Sequence, residues 1–73
     1  MKQNKLQTES GLKVGDQVKM IPGTLAWKAE IMLQGKIGEL IESRADGAAR
    51  KVTVRFPGGR LLIGRDGSLF ERV

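Results

Sequence analysis

The chain contains no cysteine and no histidine. Without thiols there is no disulfide to staple a small fold and no thiolate metal site. Without imidazole, zinc would have to be held by carboxylates alone, a poor donor set for that ion. No cofactor is expected. The absence of cysteine points to an intracellular compartment. Acid–base and nucleophilic chemistry is left to carboxylates, lysine, serine and threonine. Tyrosine is also missing, and one tryptophan and two phenylalanines are the only rings. Proteins that hold single-stranded nucleic acid stack bases on exposed rings, so that mode is disfavoured. No apolar run approaches the roughly 18 residues of a membrane span. The opening MKQNKLQTES has neither the apolar stretch nor the small-residue cleavage site of a signal peptide. A soluble, cytoplasmic protein with no membrane role is expected.

What is present is 73 residues, enough for one domain. A domain of this length buries only roughly 60% of the surface its unfolded chain exposes. The formal charge is +5. Residues 1–10 hold Lys2, Lys5 and Glu9 and so contribute only one positive charge. The excess therefore belongs to the domain itself, which is drawn to anionic partners.

Residues 1–10 are polar and without period and are expected to be a disordered lead-in, with the domain spanning 11–73. From there the chain alternates. KVGDQVKMI places Val18 and Met20 on one side and Gln17 and Lys19 on the other, a half-buried strand closed by Pro22-Gly23. Residues 24–33, TLAWKAEIML, read as a long loop with at most one helical turn. Thr24 is a candidate cap, and Leu25, Ala29 and Met32 share a helical face. KIGELIES is a second strand, followed by the hairpin signal Asp46-Gly47. KVTVRF is a third, with Val52, Val54 and Phe56 inward and Lys51, Thr53 and Arg55 outward. Pro57-Gly58-Gly59 turns the chain into the strand RLLIG. Asp66-Gly67-Ser68 turns it once more into the closing strand LFERV.

Five short strands, a long first loop and tight later turns imply an all-β domain, a five-stranded SH3-like barrel whose closure removes aggregation-prone edges. Gly35 and Gly38, three apart in LQGKIGEL, are expected to permit the kink, bulge and close backbone approach that so small a barrel needs. VGDQVKM, then QGKIGELIES, then KVTVRF resembles the KOW-type SH3-like barrel of ribosomal proteins and transcription elongation factors. Similar segments occur in the nitrile hydratase β-subunit barrel and in the variable subunit of ferredoxin–thioredoxin reductase. The likeness spans residues 14–56 and implies the fold, with nucleic-acid or partner binding as its functions. A plasmid-borne dihydrofolate reductase is also similar at its Gly-Asp start. That enzyme uses a Val-Gln-Ile-Tyr run, and RLLIG here has neither glutamine nor tyrosine.

Catalytic motifs are not evident. Glu39 and Glu42 are expected on the solvated face opposite Lys51 and Arg55, where opposite charges pair across a hairpin. PGGRLLIGRDG has the glycine spacing of a phosphate loop. Arg65-Asp66 stands where Lys-Ser or Lys-Thr is required, and no helix follows.

Two binding chemistries remain. Lys19, Arg44, Arg50, Lys51, Arg55, Arg60 and Arg65 form the basic set, and five of the seven are arginines suited to bidentate contact with phosphate or carboxylate. The same charges could simply keep a small domain soluble, with Glu39, Glu42, Asp46 and Asp66 neutralising part of them. Leu25, Trp27, Ile31 and Met32 load one loop with apolar surface out of proportion to its length. Trp27 either anchors a partner or covers the open end of the barrel. The preferred reading is a non-catalytic module that engages a protein partner through the Trp27 loop. The alternative is a nucleic-acid or ribosome-associated module using the arginine hairpins. A self-associating barrel with a shared pore is a third.

Overall fold

The computed structural model describes residues 12–73. The lead-in expected at residues 1–10 lies outside them. Five strands follow in chain order: β1 (Gln17–Met20), β2 (Gly38–Asp46), β3 (Ala49–Arg55), β4 (Leu61–Asp66) and β5 (Phe70–Arg72). A short helix, α1 (Leu25–Ala29), and a 3₁₀ turn (Ile31–Leu33) lie between β1 and β2, and a second 3₁₀ turn (Gly67–Leu69) joins β4 to β5. All strands pair antiparallel, in the order β4-β3-β2-β1-β5. The protein is an all-β domain, as the alternation implies. β4 and β5 end the order and are not hydrogen-bonded to each other. The sheet is therefore open, and the closure expected of a barrel is not made by a strand ladder.

The inward positions match the period-two reading. Val18 and Met20 of β1, Val52 and Val54 of β3, and Phe56 just beyond it are all buried. Leu40, Leu62 and Phe70 join them, and Ala26 and Leu33 cover them from the helical segment. Phe56, Leu40 and Leu62 are the largest fully buried side chains, each worth about 1.5–3 kcal/mol in burial. Thr53 is an exception to the outward reading. It is buried, its hydroxyl lying 3.2 Å from Glu42 Oε1 and 3.4 Å from the Gly64 nitrogen. The reason is a bulge in β4 opposite Thr53, between the pairs Val52–Arg65 and Val54–Leu62, which turns the Gly64 N–H toward the hydroxyl.

The two close glycines serve different ends. Gly35 lies outside the strand, with φ +77°, in a turn where Gln34 adopts φ −61° and ψ 130° and Lys36 N–H donates to the Leu33 carbonyl (3.0 Å). That is a type II turn, which needs a left-handed residue at its third position. Gly38 opens β2 and is buried. A Cβ there would stand 2.7 Å from Val54 Cγ1 and 3.0 Å from the Arg55 carbonyl oxygen. The expected bulge falls at neither. It lies at Ile41, between the pairs Leu40–Val54 and Glu42–Thr53.

The segment 24–33 departs from the expected helical face. Thr24 caps α1 by accepting the Trp27 N–H (3.3 Å), and its own hydroxyl donates to the Ile21 carbonyl (2.8 Å). Glu30 then leaves helical geometry, with φ −108° and ψ 66°, and a 3₁₀ turn begins. The 3.6-residue period stops there, so a face drawn through Leu25, Ala29 and Met32 has no continuous helix to carry it. Ala26 and Leu33 are buried instead, and Leu25, Ala29 and Met32 are all exposed. No helix among the described residues is long and apolar enough to cross a membrane.

Candidate interaction surfaces

The apolar surface is built by α1 and the 3₁₀ turn after it. Leu25 is 79% exposed, Ile31 69% and Met32 81%. Three large apolar side chains within eight residues thus find no place in the core. Trp27 differs from its three neighbours. It is half-buried and packs against the core cluster, and its carbonyl accepts the Gln34 side-chain amide (2.9 Å). The tryptophan is thus partly spent on packing against the core.

Glu30 fixes that surface to the sheet. Its Oε1 accepts from Arg60 (2.6 Å) and its Oε2 from Arg65 (3.5 Å), with the glutamate side chain only 13% exposed. Two guanidiniums, one just before β4 and one near its end, converge on one carboxylate, with Arg60 making the short charge-assisted bond and Arg65 a longer one. Glu30 was not among the expected site residues. Its signal was available, because it is the only acid between Asp16 and Glu39 in an otherwise apolar and basic stretch.

The seven basic candidates do not form one patch. Arg60 and Arg65 are engaged by Glu30, Arg55 pairs with Glu39 (2.7 Å) as expected across the hairpin, and Lys19 reaches Glu71 (3.8 Å). Glu42 faces Thr53 rather than Lys51. Arg44, Arg50 and Lys51 remain together near the end of the β2–β3 hairpin. Among the described residues, no carboxylate lies within ion-pair reach of any of the three. Arg50 donates to the Ser43 hydroxyl (3.0 Å). Arg44 and Lys51 are direct cross-strand partners, a placement of like charges that costs stability.

A groove of about 830 Å³ is lined by Ala45, Ala48 and Ala49 of this hairpin end and by Ser68 and Phe70 around the start of β5. Asp66 lines it and accepts the Ser68 N–H (2.9 Å) and hydroxyl (2.8 Å). These bonds, the N–H first, hold its carboxyl below the usual carboxylate range, and Lys51 adds to the effect. A depressed carboxyl is ionised at neutral pH and poorly suited to act as a general acid. Among the described residues, no three acidic side chains gather as metal ligands.

No protein-family model, curated protein or solved structure matches the chain.

Proposed function

We propose that the protein is a small, non-catalytic cytoplasmic module of KOW-type SH3-like character that docks on a protein partner through Leu25, Ile31 and Met32. The observation that carries this reading is the exposure of those three side chains, 79%, 69% and 81%. Apolar surface of this kind gains nothing by facing water and gains about 25 cal/mol per Å² when a partner covers it. The Thr24 cap and the Glu30–Arg60–Arg65 clamp hold the segment in place before binding, which lowers the entropic cost of association. The strand order, with β5 returning to pair with β1, agrees with an SH3-like arrangement. Retrieval of partners by the tagged protein tests the reading. Leu25→Asp with Met32→Asp should abolish the specific capture at either of two salt concentrations and after nuclease treatment. Capture unchanged in that variant removes the proposal.

A second reading is favoured by one observation, the Arg44–Lys51 pair. Among the described residues, Arg44 and Lys51 stand face to face with only Asp66, the neighbour of Lys51 on β4, to offset them. An anion that bridges the two cations suits this arrangement, and the phosphate backbone of a nucleic acid would supply it. Arg50 would add a third contact. In this reading nucleic acid retained at low salt is released at high salt.

A further inference from the structure

The exposed apolar residues share their segment with charge of one sign. Lys28 lies on α1, one turn after Leu25, and Lys36 follows the 3₁₀ turn that carries Ile31 and Met32; both lysines are exposed. Neither has a carboxylate within ion-pair reach among the described residues. Glu30 is the one acid of the segment, and its carboxylate is taken by Arg60 and Arg65. Two guanidiniums on one carboxylate leave that cluster with one net positive charge. The segment therefore offers three exposed apolar side chains, one cation between Leu25 and Ile31 and another after Met32, and no free carboxylate of its own.

We infer that the partner docking here is an acidic protein segment, one that sets apolar side chains against Leu25, Ile31 and Met32 and carboxylates against Lys28 and Lys36. This rests on the docking reading above and adds the partner's charge. Rim charges of opposite sign speed encounter and exclude wrong partners, and the buried apolar centre supplies the affinity. Met32 suits the centre, because an unbranched thioether adapts to the surface it meets. A lipid surface shares the anionic charge but fits less well. α1 has five residues, far less than the extended apolar face with which interfacial helices hold a bilayer. Nucleic acid fits less well again, since a phosphate backbone gives the three apolar side chains nothing to bury against.

The test uses the full chain and two synthetic helical peptides with the same leucine stripe, one flanked by glutamates and the other by lysines. The readouts are the amide resonances of residues 25–36 and the fluorescence of Trp27, the only tryptophan. The glutamate peptide should bind about tenfold more tightly than the lysine peptide, a gap of roughly 1.4 kcal/mol, and the gap should shrink as salt rises. Lys28→Glu with Lys36→Glu should close or invert it, while Met32→Asp should remove binding of both peptides. Equal affinity for the two peptides, both lost in Met32→Asp, overturns the acidic partner and leaves the docking reading standing. Binding of phosphatidylglycerol vesicles without either peptide also overturns it, as does a silent spectrum with both peptides. The docking reading is then decided by the Leu25→Asp, Met32→Asp capture.

Discussion

Gly38 and Val54 approach so closely that a Cβ on the glycine would come within 2.7 Å of Val54 Cγ1. The valine is fully buried and β-branched, and the Arg55 carbonyl lies 3.0 Å from the same point, so neither neighbour can yield easily. Gly38→Val should cost about 1–3 kcal/mol by overpacking. Gly35 has open space around it but a φ of +77°. Gly35→Ala should cost about 1–2 kcal/mol by backbone strain, and Gly35→Asn should recover part of that because asparagine tolerates the left-handed region. The two series separate under urea denaturation. An asparagine that rescues position 38, or fails to rescue position 35, contradicts this assignment.

Asp16 ties the turn before β1 to the last strand. Its Oδ2 accepts the Lys13 N–H (2.8 Å) and the Arg72 Nε–H (3.2 Å). The Lys13 bond, with Arg72 second, lowers the carboxyl below its ordinary value of 3.8, and Ser68 lowers Asp66 in the same sense. Groups with depressed folded values contribute stability that is present above the unfolded value. That stability is lost as pH falls through the folded one. The urea midpoint should hold from neutrality down to about pH 5 and then fall toward about pH 2. Asp16→Asn with Asp66→Asn should lower the midpoint at neutral pH and flatten the acid limb. An acid limb as steep as the parent's would show that other carboxylates govern it.

Glu30→Gln should loosen the helical segment without unfolding the sheet. The amide can still accept from one arginine, but it loses the charge that holds two. The cost should be about 1–2 kcal/mol, at the low end for bonds to charged groups because both guanidiniums are partly exposed, and the emission of Trp27 should shift as its packing relaxes. Arg60→Ala alone should do less, because Arg65 remains on the carboxylate. Equal effects from Glu30→Gln and Arg60→Ala would mean that Arg65 contributes nothing.

Where the period was two, the sequence was legible. Val18, Met20, Val52, Val54 and Phe56 could be placed inward because a strand leaves only two faces, and turn residues marked where each strand stops. The open sheet was not legible, since closure depends on whether β4 and β5 meet and no local pattern encodes that distance. The bulges at Ile41 and opposite Thr53 were hidden for a related reason, because a single unpaired residue leaves the alternation on either side intact. In segment 24–33 the apolar load is plain in the sequence, but not which of its residues stay exposed, as Leu25, Ile31 and Met32 do. The Glu30 clamp depends on Arg60 and Arg65, 30 and 35 positions away, and the half-burial of Trp27 on its packing against the assembled core. Trp27→Ala is therefore a poor probe of binding, because it also removes packing.

The cleanest separation of the two functional readings sets Leu25→Asp, Met32→Asp against Arg44→Ala, Lys51→Ala. Both pairs lie outside the core, so both proteins should fold. Leu25 and Met32 are 79% and 81% exposed. Removing Arg44 and Lys51 relieves a like-charge cross-strand pair but also removes the attraction of Lys51 to Asp66 on β4, so the two changes offset and the variant should stay within about 0.5 kcal/mol of the parent. A protein partner held by the apolar face should be lost in the first variant, with little change in the second. A nucleic-acid partner should show the reverse, and each lost phosphate contact should flatten the plot of log affinity against log salt by about one unit. The expected outcome is loss in the Leu25, Met32 variant alone. Loss of RNA or DNA binding confined to the Arg44, Lys51 variant would replace the docking module with a phosphate-binding hairpin.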